Sequence, residues 1–310
     1  MMQPALDCLN VAGRAFLAAT CPALIPYPHL DPVIFRIGNL AVRWYGVAYL
    51  LGFILAFLLL RRMARRGELR MAAERVGDAV SWMALGVIIG GRVGWWLFYH
   101  RDPGYPEPWY EPLAMWRGGM SFHGGLIGVA VAALLWARKN RVPFFNLADC
   151  VAIVAPIGLF FGRIANFING ELVGRPTSVP WAMIFPGYTQ PRHPSQLYEA
   201  FLEGPVLLAI LWLAYRKFRP REGRIFALLM IAYGLLRFAV EFTRQPDAQL
   251  GYLVFGSTMG QLLSLTLVLA GVILWFLVPR CPPQTAANPP QKTNSATLLT
   301  RPRASRTQRR

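Results

Sequence analysis

The stretch STMGQLLSLTLVLAGVILWFLV, Ser257 to Val278, contains no charged side chain, and it decides the fold. About 20 apolar residues suffice for one helical crossing of a bilayer. The uncharged run extends further, from Ala248 to Pro279. Working outward, Trp44 to Leu60 is also free of charge, and Gly118 to Ala137 carries only His123. Of the 310 residues, 55% are hydrophobic and only 15% charged, less charge than a soluble domain of this length carries. The mean hydropathy is +0.37. The class is therefore all-α integral membrane. The repeated helix length and the scarcity of alternating polar and apolar segments argue against an outer-membrane barrel.

The pattern places about seven spans, at 43–60, 79–99, 121–137, 147–167, 197–215, 225–242 and 257–278. A net charge of +17 would point to nucleic acid in a soluble protein. Here the Lys and Arg residues lie in the loops of one face, so no nucleic-acid partner is expected. Segment 61–75 holds six, 138–141 three, 216–224 five and the tail from residue 280 seven, against eight in the alternate loops and the N-terminal segment. The positive-inside rule then sets the N-terminus in the periplasm and the C-terminus in the cytoplasm. Residues 1–40 read as a periplasmic interfacial lead-in, 41–280 as the transmembrane body, and 281–310 as a disordered basic cytoplasmic tail. Cys8, Cys21, Cys150 and Cys281 show no metal spacing, and Cys150 reads as a small core residue.

Three arginines, Arg92, Arg163 and Arg237, fall inside the spans. An arginine at mid-bilayer depth costs on the order of 2.5–3.5 kcal/mol on insertion scales, and its guanidinium keeps its charge. It needs a partner. The carboxylates near these arginines look few in the sequence, which makes a phospholipid head group the first candidate. With the spans laid side by side, Tyr45, His123, Arg163, Asn166, Glu171, Arg237 and Glu241 all fall in the external half of the membrane. One shared depth implies one shared cavity.

Around His123 the string is MSFHGGLIG, in which Gly124 and Gly128 make a small-xxx-small pair; Gly86, Gly90 and Gly94 make a second stripe. Both read as helix packing. His123 itself, at the mouth of a span, is suited to accept a proton or to bind phosphate oxygen. In GRIANFINGELVGRPT, Gly162 to Thr177, Arg163 and Asn166 share a helix face, and Asn169–Gly170 marks a helix exit. A snorkelling helix end would explain Arg175 there, but not Arg163. In YGLLRFAVEFTRQPDAQ, Tyr233, Arg237 and Glu241 recur every four positions, so Arg237 and Glu241 are placed to pair along the helix.

Together with RWYGVAYLLGF (Arg43 to Phe53), RHPSQLYEA (Arg192 to Ala200) and STMGQLLSL (Ser257 to Leu265), these strings closely resemble the prolipoprotein diacylglyceryl transferase family of bacterial inner membranes. The resemblance spans most of the chain. It implies a multi-pass inner-membrane enzyme that moves a diacylglyceryl group from phosphatidylglycerol to the lipobox cysteine of a prolipoprotein signal peptide, releasing glycerol phosphate. The family's essential positions fall on Tyr45, His123, Arg163, Asn166, Glu171, Gly174, Arg237 and Glu241. Ala165 stands where many members have Gly, and both are small.

The implied reaction is displacement at a glyceryl CH2 carbon by sulfur. Fixed guanidinium groups stabilise the charge that grows on the departing phosphate. On this reading Arg163 and Arg237 clamp the phosphate, Asn166 and Tyr45 donate hydrogen bonds, Glu171, Gly174 and Glu241 complete the phosphatidylglycerol site, and His123 takes the thiol proton. No metal set or nucleotide loop is visible, so no metal and no cofactor is expected. The competing class is a polytopic phospholipid transporter using the same arginines, which predicts polar residues along a whole path.

Overall fold

The computed structural model describes residues 25–28, 30–38, 40–99, 119–218, 221–246, 253 and 256–278. Most of the expected lead-in, the basic tail at 281–310, and Cys8, Cys21 and Cys281 lie outside the described residues.

Each of the seven expected spans is occupied by helix. The helices are α1 (Trp44–Arg65), α2 (Val76–Tyr99), α3 (Phe122–Lys139), α4 (Phe144–Asn169), α5 (Ser195–Phe201), α6 (Leu207–Phe218), α7 (Arg224–Glu241) and α8 (Met259–Leu277). A π turn, Leu202–Val206, joins α5 to α6, so Ser195–Phe218 forms one long element. Five of these segments are long and apolar enough to cross a membrane: α1, Ala73–Phe98, α4, Ser195–Phe218 and α8. The count of seven is not reached by α3 and α7, for a physical reason. Helix α3 spends four of its 18 residues on His123 and three glycines and ends in Arg138 and Lys139, while α7 carries Arg224, Arg237 and Glu241. The residues that dilute their hydropathy include three of the candidate site residues.

The described residues are not wholly helical. Val33–Ile37 (β1) and Leu40–Arg43 (β2) pair antiparallel through a turn with Gly38 at φ +58°, and β2 runs straight into α1. Part of the lead-in is thus an ordered hairpin. Tyr27 is docked as well, its hydroxyl donating to the carbonyls of Phe167 (2.7 Å) and Ile168 (3.0 Å) at the end of α4.

The basic end of the bundle is closed. Leu60, Met63, Trp136, Leu147, Ile153, Leu207 and Leu211 pack into one buried cluster there, with Cys150 as a core residue 1% exposed. Polar side chains fix the register around it. Trp136 Nε1 donates to Asp78 (2.6 Å), and Asn146 bridges the backbone at Arg70 and Glu68. Asp149, buried within α4, accepts from the backbone N–H of Gly223 (2.7 Å) and Phe226 (2.8 Å). It caps the start of α7 from another helix and satisfies amides that no residue inside α7 can reach. Arg62 and Arg65, Arg138 and Lys139, and Arg216 and Lys217 occupy the last turns of α1, α3 and α6, where a helix dipole favours cations. The outward faces are apolar, with Leu58, Ile89, Ile127, Leu269 and Phe276 all exposed, as lipid solvation requires and water would not tolerate over such an area.

Helices α2 and α3 meet backbone to backbone. A Cβ on Gly86 would strike the carbonyl of Gly128 and the side chain of Ala132, and one on Gly94 would strike Gly124. The two small-residue stripes are each other's partners. Gly90→Ala would set a methyl 2.7 Å from Gly128 Cα, an overpacking that costs roughly 1–3 kcal/mol. Its thermal unfolding midpoint in detergent should fall. Gly46→Ala, with open space around its Cβ, should leave the midpoint unchanged or slightly raised.

Candidate active site

Charged residues from three elements converge at the end of the bundle opposite the basic ends. Helix α4 supplies Arg163, with Asn166 one turn on. The α5–π element supplies Glu199 and Glu203, four apart, and α7 supplies Arg237 and Glu241, also four apart. Interleaved, they form a ribbon of alternating sign. Arg244 Nη1 lies 3.3 Å from Glu199, and Glu199 lies 2.8 Å from Arg163 Nε. Arg163 Nε is also 3.1 Å from Glu203, and Glu203 is 3.8 Å from Arg237 Nε. The ribbon closes with Arg237 Nη1 2.6 Å from Glu241, which accepts from the Thr258 hydroxyl (2.9 Å) at the cap of α8. The three carboxylates are at most 5% exposed.

Three guanidiniums and three carboxylates cancel. The expectation that carboxylates near the arginines are few is therefore corrected: Arg163 is paired by Glu199 and Glu203, two residues of an otherwise apolar span, and Glu203 also lies 3.8 Å from Arg237. The expected Arg237–Glu241 pair forms as its spacing requires. Arg163 donates its hydrogen bond from Nε, and its two terminal nitrogens donate none among the described residues. An acceptor with two oxygens would match that edge. Arg92, the third intramembrane arginine, stands apart from the ribbon. It is buried on α2, donates to the carbonyl of Gly119 (3.1 Å) and lies over the Trp95 ring.

One turn beyond Arg163 a second polar cluster begins. Asn166 Nδ2 donates to Glu171 (2.8 Å) and reaches the Tyr45 hydroxyl (3.3 Å) at the start of α1. Helix α4 ends where the sequence marks it, with Gly170 as a left-handed cap at φ +67°. Segment 171–194 then folds across the helix ends. Gln196 Nε2 donates to the Glu171 carbonyl (2.6 Å), and Ser195 Oγ to that of Leu172 (3.1 Å). Gly174 donates its N–H to the His193 carbonyl (3.0 Å), and its own carbonyl accepts from Arg192 (2.9 Å). Its contacts are with backbone and with Arg192, and its lack of a side chain lets three strands of chain meet. Burial pushes the His193 imidazole below its ordinary range, and Nδ1 lies 3.2 Å from the Tyr198 hydroxyl.

Tyr45, Arg163, Asn166, Glu171, Gly174, Arg237 and Glu241 are thus gathered at one end of the bundle. His123 is not joined to them. It is exposed at the start of α3 with its ring edge-on to Phe122, and no hydrogen bond links it to the ribbon among the described residues.

Residues 32–277 match the family model described as prolipoprotein diacylglyceryl transferase. The chain belongs to the prolipoprotein diacylglyceryl transferase family. Relatives named phosphatidylglycerol–prolipoprotein diacylglyceryl transferase agree with it over nearly their whole length. The protein of Geobacter sulfurreducens is 52% identical over 82% of this chain and 97% of its own. That of Rhodospirillum rubrum is 48% identical over 84% and 96%, and that of Pseudomonas putida 49% over 84% and 98%. As a member of this family the chain is a transferase.

The requirement at residue 174 is open to test. A Cβ there would sit 2.6 Å from His193 Cβ, the His193 carbonyl and the Thr243 carbonyl. Two of the three are backbone atoms in paired segments. Gly174→Ala should lose about 1–3 kcal/mol of stability, and limited proteolysis should cut segment 171–194 sooner than in the parent protein.

Proposed function

We propose that the chain moves the diacylglyceryl group of phosphatidylglycerol onto the cysteine thiol of a prolipoprotein lipobox, the reaction its relatives are named for. The supporting observation is the charge ribbon. It holds Arg163 and Arg237 by protein carboxylates and leaves the terminal edge of Arg163 for a phosphodiester.

Sulfur attacks the glyceryl CH2 carbon next to the phosphate oxygen. A C–S bond forms, the C–O bond breaks, and its electron pair leaves with the phosphate as glycerol phosphate. The phosphate passes from one negative charge towards two, and preorganised guanidiniums in a water-poor site favour that change. Asn166 and Tyr45, already 3.3 Å apart, supply further hydrogen bonds. Glu171, Gly174 and Glu241 set the walls of the lipid site. The thiol proton passes to His123, an exposed imidazole at a helix start. On this reading α3 and α7 cross the membrane too, making seven crossings of the bacterial inner membrane with a periplasmic N-terminus and a cytoplasmic C-terminus. The signal peptide and phosphatidylglycerol then both reach the site from the outer leaflet. The transporter reading draws no support, because the paired arginines gather at one end and the other is packed by Leu60, Trp136, Leu147 and Leu211.

Purified protein mixed with phosphatidylglycerol and a lipobox peptide should give a peptide heavier by one diacylglyceryl unit, with one glycerol phosphate released per peptide. A serine-for-cysteine peptide should give none. Arg163→Lys keeps the charge but loses the planar fork, and turnover should fall about a hundredfold. Full activity of that variant would remove two-point phosphate recognition from the mechanism. His123→Gln should slow turnover by about 10²–10⁴-fold as a lost general base. Near-normal turnover would reassign the proton acceptor.

A further inference from the structure

Glu203 lies outside the motifs that mark the site, yet it occupies the centre of the ribbon. Its side chain is fully buried, and its two oxygens face different arginines: Oε2 is 3.1 Å from Arg163 Nε, and Oε1 is 3.8 Å from Arg237 Nε. Glu199 and Glu241 each come within 4 Å of one of these two arginines, and Glu203 comes within 4 Å of both. The local backbone is built to put Glu203 there. It sits in the π turn Leu202–Val206, a rare form that occurs mostly as single turns within α-helices and is frequent at functional sites. The next residue, Gly204, lets α4 approach so closely that a Cβ would lie 2.7 Å from Phe160 Cβ, and Arg163 follows Phe160 by one helical turn. Pro205, inside the same turn, has no N–H to leave unpaired where the helical ladder widens.

We infer that Glu203 is a positioning residue for the transfer reaction. It fixes the separation and facing of Arg163 and Arg237, so that both guanidiniums meet one phosphate. It also keeps the ribbon neutral, which stops the pocket from holding anions more tightly than turnover requires. This inference rests on the transferase reading of the same site.

The two roles predict opposite effects on binding and on turnover. Glu203→Gln leaves the ribbon with one excess positive charge and two arginines no longer tied together. Its kcat should fall about a hundredfold, the scale of a 1 Å misplacement in a reacting site. Its KM for phosphatidylglycerol should be no higher than that of the parent protein. Glu203→Asp restores the charge with a shorter reach and should recover about tenfold of the lost kcat. The experiment measures kcat and KM of the parent and both variants in detergent–lipid micelles, beside their thermal midpoints. A Gln variant with parental kcat overturns the inference, as does one whose only change is a raised KM, or an Asp variant no faster than Gln. Removing one partner of a buried pair is strongly destabilising. If the Gln variant does not survive extraction, the Asp variant decides alone, and parental kcat there overturns the inference. Absence of transfer by the parent protein would instead fail the transferase reading itself.

Discussion

Buried guanidinium cannot shed its charge, and nearly everything at the functional end of this bundle follows from that constraint. Arg163 and Arg237 sit on different helices, and each needs a counter-charge within a few ångströms in a medium that supplies none. The chain meets the need with a ribbon in which no two neighbours share a sign, running from Arg244 to Glu241 and ending on the cap of α8. Such a ribbon admits little slack. A slip of one residue in α5 would turn Glu199 and Glu203 by about 100° about the helix axis and leave both arginines uncompensated. The close passage of Gly204 by Phe160, the π turn, and the capping box of Thr258 and Gln261 are therefore requirements of charge placement as much as of packing.

What the sequence makes legible is what repeats or what is missing. The expected spans show as long apolar runs with few charges; all seven are occupied by helix, and five are long and apolar enough to cross a membrane. The exit at Gly170, the pairing of Arg237 with Glu241, and the glycine stripes at 86–94 and 124–128 show as local spacing. Glu199 and Glu203 are harder to see, since they lie among Leu, Ala, Phe and Val in a segment that still reads as a span. The signal was available. Three intramembrane arginines demand carboxylates at the same depth, and two of the few candidates inside spans are these glutamates. Asp149 is a third, used instead to cap α7.

Segment 171–194 was illegible for a different reason. It has neither helical nor strand period, and its shape is set by contacts far away in the chain, such as Gly174 with Thr243 and Arg192 with Gln245. The docking of Tyr27 on the end of α4 has the same character. So has the exclusion of His123 from the ribbon: sequence places it at the start of a helix, but not around the bundle.

The glycine seam between α2 and α3 bears on that position. Two helices whose backbones touch at Gly86, Gly90 and Gly94 have no side-chain layer between them there to shear, so close packing favours their moving as a single stiff plank. His123 and Arg92 ride on that plank. Arg163, Glu203 and Arg237 ride on the block that the ribbon binds together, and the plank meets α4 through far fewer contacts than it has within itself. The separation of imidazole and guanidinium is thus set by how the α2–α3 pair packs against α4, not by either pair alone. A shift of α2 against α4 would therefore carry α3, and with it both His123 and Arg92, as one.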